Sequence, residues 1–258
     1  MASSKIEPSF EEYRQKYRHV RMQRRDGILE ICVHTNGGSL KWGALPHEEL
    51  SYCFADIGAD RENKVIIITG AGDSFCAETD IASFGEFTPQ VWGTQYFESK
   101  RLLNNLLEIG VPVIGAVNGP AHIHAELAVL SDIVIASENA TFQDGPHFPI
   151  GVVPGDGVHY IWPALLGPNR GRYFLLMGQI LDARSALELG VVSEVVPQDQ
   201  LSARAWELAG QIASRPVLTR RFSRAVLTQE WKRLTLEHLG HGMGLEGLAV
   251  MDYLPGRE

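Results

Sequence analysis

Between Val111 and Ala136 the chain reads VPVIGAVNGPAHIHAELAVLSDIVIA. Val111 to Val117 is an apolar run of strand length, Ala125 to Leu130 has helical character, and Ile133 to Ala136 is a second apolar run. A strand, a helix and a strand in succession predict parallel pairing and an α/β fold class. Further upstream, KVIIIT (Lys64 to Thr69) reads as a strand buried on both faces, because its β-branched run does not alternate with polar residues. Helices are expected at His47 to Ala59, through Leu50, Cys53, Phe54 and Ile57, and at Pro89 to Ile109, with Pro in the first turn and Gly110 beyond the end. His19 to Gln23 and Ile28 to His34 flank an Arg25-Asp26-Gly27 turn and predict a hairpin.

After Val158 the chain turns mostly helical, apart from a short strand at Val191 to Val196. Asp182 to Leu189 opens on a good N-cap residue and stops at Gly190. Two last helices, about Gln200 to Ser214 and Val217 to Leu239, are joined at Pro216. The expected organisation is a core over residues 1–198 and a C-terminal helical region over 199–258 that covers a site or builds an oligomer interface.

The 258 residues carry 31 acidic against 23 basic side chains, a formal net charge of -8. That balance argues against nucleic acid as a partner, which needs clustered Lys and Arg to displace counterions from phosphates. The basic stretch Arg215 to Lys232 is interleaved with Leu218, Phe222, Val226 and Leu227 at helical spacing and reads as a solvated helix face. The start, MASSKIEPSFEEYRQKYR, has no apolar core, and no run of about 18 apolar residues occurs, so neither secretion nor membrane spanning is expected. Cys32, Cys53 and Cys76 are odd in number and widely spaced, which fits a reducing, cytoplasmic setting.

Chemistry concentrates in FQDGPHFPIGVVPGDG, Phe142 to Gly157. His147 and Asp156 lie nine residues apart across Pro149, Gly151, Pro154 and Gly155, and a loop this rich in turn residues can double back and set imidazole against carboxylate. A carboxylate on one ring nitrogen fixes the tautomer and leaves the other nitrogen to take a proton from water. The same spacing equally fits a loop histidine and a helix-capping aspartate that never meet. Other motifs carry less. Gly242 to Gly247 (GMGLEG) matches G-x-G-x-x-G but follows a helix near the C-terminus rather than a strand. His122-Ile123-His124 places two imidazoles on one strand face, where with His147 they could ligate a metal, yet a nearby fourth partner is missing. No metal is therefore expected. Glu138 and Asp144 read as surface residues.

Four blocks in order, Phe75-Cys76-Ala77-Glu78-Thr79-Asp80-Ile81, Ala116 to Ala121, Glu126-Leu127-Ala128 with Ser131-Asp132, and Phe142 to Gly157, resemble the crotonase (enoyl-CoA hydratase/isomerase) superfamily from about Val20 onward. The resemblance implies a spiral of β-β-α turns closed by C-terminal helices and assembled as homotrimers or pairs of trimers. Two departures bear on chemistry. His122, Ile123, His124 and Ala125 stand where the family carries glycines whose backbone, with the amide at Ala77, forms a thioester oxyanion hole. Pro146-His147 stands where hydratases carry Pro-Glu, and Asp156 is the variable residue of Pro-Gly-x-Gly.

This combination is similar to the carbon-carbon bond hydrolases of the superfamily, the β-diketone hydrolases. The resemblance implies retro-Claisen cleavage of a cyclic 1,3-diketone without coenzyme A, metal or organic cofactor. His147, Asp156 and His124 would be catalytic, with Asp156 holding His147. Trp42, His47, Glu246 and Phe84 would contact substrate. Pocket size would depend on Phe84, Phe87, Tyr96, Leu127 and Trp162. A coenzyme A thioester hydratase, isomerase or hydrolase is the alternative on the same fold, and a non-catalytic binding protein is another.

Overall fold

The structure, a computed structural model, describes residues 6–253. A short helix, α1 (Phe10–Tyr13), precedes β1 (Val20–Arg25) and β2 (Ile28–Val33), which pair antiparallel. Arg25 is the last ladder residue rather than part of the turn, which is the two-residue Asp26-Gly27 with φ of 53° and 82°. Two successive positive φ values give the backbone twist that a tight hairpin needs, and only small or turn-forming residues adopt them readily.

The chain then winds as β-β-α turns. The first comprises β2, β3 (Leu40–Trp42) and α2 (Ala44–Ala59); the second, β4 (Val65–Gly70), β5 (Cys76–Thr79) and α3 (Pro89–Glu108). The third has β6 (Val113–Val117) and the one-turn helix α4 (Glu126–Val129), and the fourth begins with β7 (Ile133–Ser137) and β8 (Thr141–Phe142). After α5 (Val158–Leu166), α6 (Pro168–Met177), β9 (Leu181–Asp182) and α7 (Ala183–Glu188), β10 (Glu194–Val196) completes a six-stranded sheet of order β1-β2-β4-β6-β7-β10. Every pair in it is parallel except β1 with β2. The short strands form a second layer, where Ala121 bridges Cys76 of β5 on one side and Phe142 of β8 on the other.

Both faces of the large sheet are covered, which is why KVIIIT does not alternate. Ile66 and Ile68 point into the main core with Leu29, Ile31 and Val113, whereas Val65 and Ile67 face the other way, against Leu201, Ala205 and Ala209 of α8 (Leu201–Ala213). At roughly 25 cal/mol per Å² of apolar area removed from water, such two-sided burial dominates the stability of the sheet.

The C-terminal region departs from its sequence reading in two ways. The single helix expected over Val217 to Leu239 is broken at Thr228 into α9 (Val217–Leu227) and α10 (Gln229–Tyr253), and α10 runs on through the glycine-rich segment. Second, α9 does not present its arginines to solvent. Arg220 and Arg224 are buried, and Arg224 donates to the carbonyls of Leu106 and Ile109 and to Asp132 Oδ2 at 2.6 Å. Leu218, Phe222, Val226 and Leu227 are the exposed residues, each about 60% or more exposed. The capping demands of strand and helix ends on the core side, not apolar burial, set the rotation of α9.

Glycine in a helix interior costs about 1 kcal/mol relative to Ala, so the four between Gly240 and Gly247 in α10 need a packing reason. Gly242 lies so close to the loop before α5 that a Cβ there would be 2.2 Å from the Gly155 carbonyl oxygen, and one at Gly247 would be 2.1 Å from Trp92 Nε1 of α3. Gly244 faces open space. Gly242→Ala is therefore expected to lower stability by about 1–3 kcal/mol through overpacking, while Gly244→Ala is neutral or stabilising by up to about 1 kcal/mol. Denaturant melts of the two variants check this contrast.

Candidate active site

The loop from Gln143 to Gly157 is built by hydrogen bonds back to the second layer and to itself. Gln143 N donates to Ala121 O, Gly145 N to His122 O, and both Ile150 N and Val152 N return to the carbonyl of His147. Gly151 at φ 86° makes the reversal. The chain thus doubles back, and His147 Nε2 comes to 3.5 Å from Asp156 Oδ2 and 3.6 Å from Glu246 Oε1, which arrives from α10. These separations exceed an ordinary hydrogen bond. The tight contact is elsewhere: His147 Nδ1 donates to Asp144 Oδ1 at 2.6 Å. Asp144, read from sequence as a surface residue, is 2% exposed. Asp156 faces the opposite nitrogen from the one that is held. Glu138 is exposed as expected.

A second imidazole is held in the same way. His124 Nδ1 donates to Glu126 at the start of α4, and Asp156 Oδ2 is 3.7 Å from that nitrogen. His124 has φ 48°, a left-handed conformation uncommon for a residue with a Cβ and concentrated at functional sites. Its ring lies 3.9 Å from that of Trp42, which ends β3, and Trp42 in turn meets His47 of α2 edge-on at 5.5 Å. His47 is buried and hydrogen-bonded through Nε2 with Ser99 of α3 at 3.1 Å, so a surface role is excluded. The pair His122 and His124 does not share a strand face: the segment is a loop, and His122 turns away to hydrogen-bond with Thr141 at 2.8 Å.

All seven residues singled out from sequence, Trp42, His47, Phe84, His124, His147, Asp156 and Glu246, line one cavity of about 110 Å³. Ile81, Phe87, Trp92, Ile150, Val152, Met243 and Val250 supply apolar side chains to the same lining. Of the residues expected to set pocket size, Phe84 and Phe87 do so. Tyr96, Leu127 and Trp162 are not among the lining residues; Trp162 is fully buried against Phe142 and Phe174. Gln95, Ser99 and Met243 were not legible beforehand, because only the packing of α3 and α10 turns them toward the site.

The electrostatics follow from burial of several charges in one place. Burial opposes protonation of His147, but Asp156 and Asp144 outweigh it and hold its pKa well above the ordinary histidine value. Burial similarly works against His124, and Glu126 and Asp156 raise it overall. Asp156 itself is pushed up to about 7, chiefly by burial, with His147 pulling it down and Glu126 and Glu246 adding to the rise. His47 is driven down to about 3 by burial and by the nearby His124, so it stays neutral. Among the described residues, Glu126 Oε2, Asp144 Oδ2, Asp156 Oδ1 and Glu246 Oε2 are buried without a hydrogen-bond partner.

Two triads have the spacing of metal ligands, His124 with Glu126 and Asp156, and His147 with Asp156 and Glu246. Each triad offers one imidazole and two carboxylates, and the carboxylates that would draw a cation are among those that hold the imidazole's pKa up in its absence. The backbone at the expected thioester site is also committed: the amides of His122 and Ile123 both donate to the Cys76 carbonyl. Among the described residues no Lys or Arg lines the cavity.

Among the described residues no helix is long and apolar enough to cross a membrane. Residues 44–240 match the enoyl-CoA hydratase/isomerase family. The chain is 32% identical over 235 residues to a carnitinyl-CoA dehydratase of Proteus mirabilis, spanning 90% of this chain and 87% of that protein. Among solved structures it is similar to a β-diketone hydrolase from the cyanobacterium Anabaena sp. PCC 7120 bound to (S)-3-oxocyclohexyl acetic acid. That likeness has 49% identity and a TM-score of 0.92, covering 93% of this chain and 97% of that one. An enoyl-CoA hydratase/isomerase from Mycobacterium paratuberculosis, at 24% identity and a TM-score of 0.84 over 91% and 94% of the two chains, shares the fold. By sequence match, by spiral topology and by the block order of its loops, the chain belongs to the crotonase, or enoyl-CoA hydratase/isomerase, family.

Proposed function

We propose that this protein is a β-diketone hydrolase that cleaves a carbon-carbon bond of a cyclic 1,3-diketone with water. The observation that carries the reading is the largely apolar cavity in which His147 Nε2 lies 3.5 Å from Asp156 and 3.6 Å from Glu246, in a chain 49% identical to a β-diketone hydrolase. The keto acid bound to that relative is what hydrolysis of a bicyclic 1,3-diketone leaves. Closing its carboxyl carbon onto the ring carbon beside the ketone and across the ring, with loss of water, regenerates a bridged diketone. The lining, without Lys or Arg among the described residues, suits such a neutral substrate.

The reaction needs a base for water, a home for enolate charge and a returned proton. His147 and Asp156 share one proton between them near neutrality and accept a second from water. The hydroxide oxygen bonds to one carbonyl carbon. The tetrahedral adduct collapses, the bond to the carbon between the carbonyls breaks, and its electron pair moves into the second carbonyl as an enolate. The pair then returns the proton to the enolate carbon, giving a ketone and a carboxylic acid with one water consumed. His124, held through Nδ1 by Glu126, and the Trp42 indole N–H are the donors for the enolate oxygen. Phe84, Phe87 and Trp92 bury the hydrocarbon frame. The three cysteines are free and buried, in keeping with a cytoplasmic enzyme.

A thioester reaction is the second reading, favoured by the 32% identity to a carnitinyl-CoA dehydratase. Incubation with a bridged bicyclic 1,3-diketone and, separately, with an enoyl-CoA thioester distinguishes them: keto-acid formation from the first and no consumption of the second is the expected result. His147→Asn, which keeps a donor for Asp144, and Asp156→Asn should each lower kcat by about 10²–10⁴ without loss of fold. Below pH about 7 both members of the pair are protonated and no acceptor remains, so kcat/KM should fall about tenfold per pH unit on the acid side of that value.

We also propose that copies of this chain associate, as trimers or pairs of trimers, through the apolar face of α9. Leu218, Phe222, Val226 and Leu227 form a continuous exposed patch there, of a kind soluble monomers rarely carry. Light scattering should give a mass of three or six chains for the wild type and a smaller species for Phe222→Glu.

A further inference from the structure

We propose that Asp144 is the positioning residue of the active site: it holds His147 through Nδ1 and thereby makes Nε2 the nitrogen that exchanges protons with water. The assignment rests on the diketone hydrolase reading for its catalytic meaning, but its geometry stands independently. Three carboxylates surround the imidazole, and they are not equivalent. Asp144 Oδ1 lies 2.6 Å from Nδ1, whereas Asp156 Oδ2 and Glu246 Oε1 lie 3.5 and 3.6 Å from Nε2. The other ionisable neighbours are His124, whose own Nδ1 is taken by Glu126, and His159, which burial pushes down to about 4 and so leaves neutral.

The Asp144 carboxylate is also preset by its backbone. The residues on either side of it are anchored to the second layer, Gln143 N on Ala121 O and Gly145 N on His122 O, and Pro146 restricts the φ of the link to His147. A Cβ at Gly145 would come within 3.2 Å of the His122 carbonyl oxygen, so the strip sits tight against that layer. Asp144 is 2% exposed and its second oxygen has no partner among the described residues, so its charge is matched by the imidazole alone. A side chain bound by one short contact to the far nitrogen, outside the cavity lining, does not touch substrate. It fixes the tautomer, restrains ring rotation and stabilises the imidazolium that forms when water is deprotonated. Asp156 is then free to move its proton.

The test is an Asp144→Asn variant of the full-length protein, read in two ways. With ¹⁵N-labelled histidine, the His147 ring proton of the wild type should reside on Nδ1 in the neutral form. In the variant that preference should be lost or the imidazole should titrate at least tenfold more easily to neutral. With a bridged diketone as substrate, kcat should fall about 10²–10⁴-fold while KM changes less than about threefold, and the acid limb of the pH profile should move. Formate should restore part of the activity of Asp144→Ala but none to His147→Asn. An Asp144→Asn variant with unchanged His147 tautomer and titration overturns the assignment, whatever the substrate. If neither variant folds, the wild-type tautomer still decides: a neutral His147 protonated on Nε2 rules the proposal out. Should the tautomer depend on Asp144 while no diketone is hydrolysed, the positioning role stands and the substrate reading falls.

Discussion

The contact on which the site depends is backbone against backbone, between Gly242 of α10 and Gly155 of the loop before α5. Each glycine stands where a side chain on the other would collide, with Cβ positions about 2.2 Å and 2.3 Å from the facing carbonyl oxygens. This approach lowers α10 onto the cavity, carries Glu246 to within 3.6 Å of His147, and lets the Met243 carbonyl accept from Trp92 Nε1 at 3.0 Å. A helix with four glycines loses propensity throughout, so its persistence is a tertiary effect. The lost propensity is offset by closing the site from above.

Enclosure explains the chemistry. Carboxylates and imidazoles that would be unremarkable in water acquire shifted proton affinities when packed together beneath aromatic rings, since each charge lacks solvent and must be balanced by a neighbour. Neutral His47 and the protonation-prone His124 and His147 are the same residue type in one cavity: burial and the neighbouring His124 drive His47 down, whereas carboxylates in close contact outweigh burial at the other two.

Much of this was legible in sequence. The unbroken KVIIIT run announced a strand covered on both sides, and the Pro- and Gly-punctuated stretch Phe142 to Gly157 announced a loop able to fold back. Other features were concealed because local pattern and tertiary demand disagreed. Asp144 and Glu126 look like ordinary acidic residues until a neighbouring imidazole turns toward them. In α9 the periodicity of arginines and apolar residues is clear, but which side faces inward is decided by the carbonyls of Leu106 and Ile109 and by Asp132, which need donors. The break at Thr228 had no strong local signal, and the residue caps α9 by hydrogen-bonding back to the Arg224 carbonyl.

Apolar periodicity and turn chemistry, local properties of the chain, by themselves indicated the α/β class and a loop able to bring His147 near Asp156, while the spiral and the wider set of cavity residues followed from the order of blocks that resembles the crotonase family. Only the tertiary structure decided which carboxylate holds which imidazole, which ring nitrogen remains free and which face of α9 is exposed. Those are choices among near-equivalent partners, settled over distances of an ångström by packing between elements far apart in sequence.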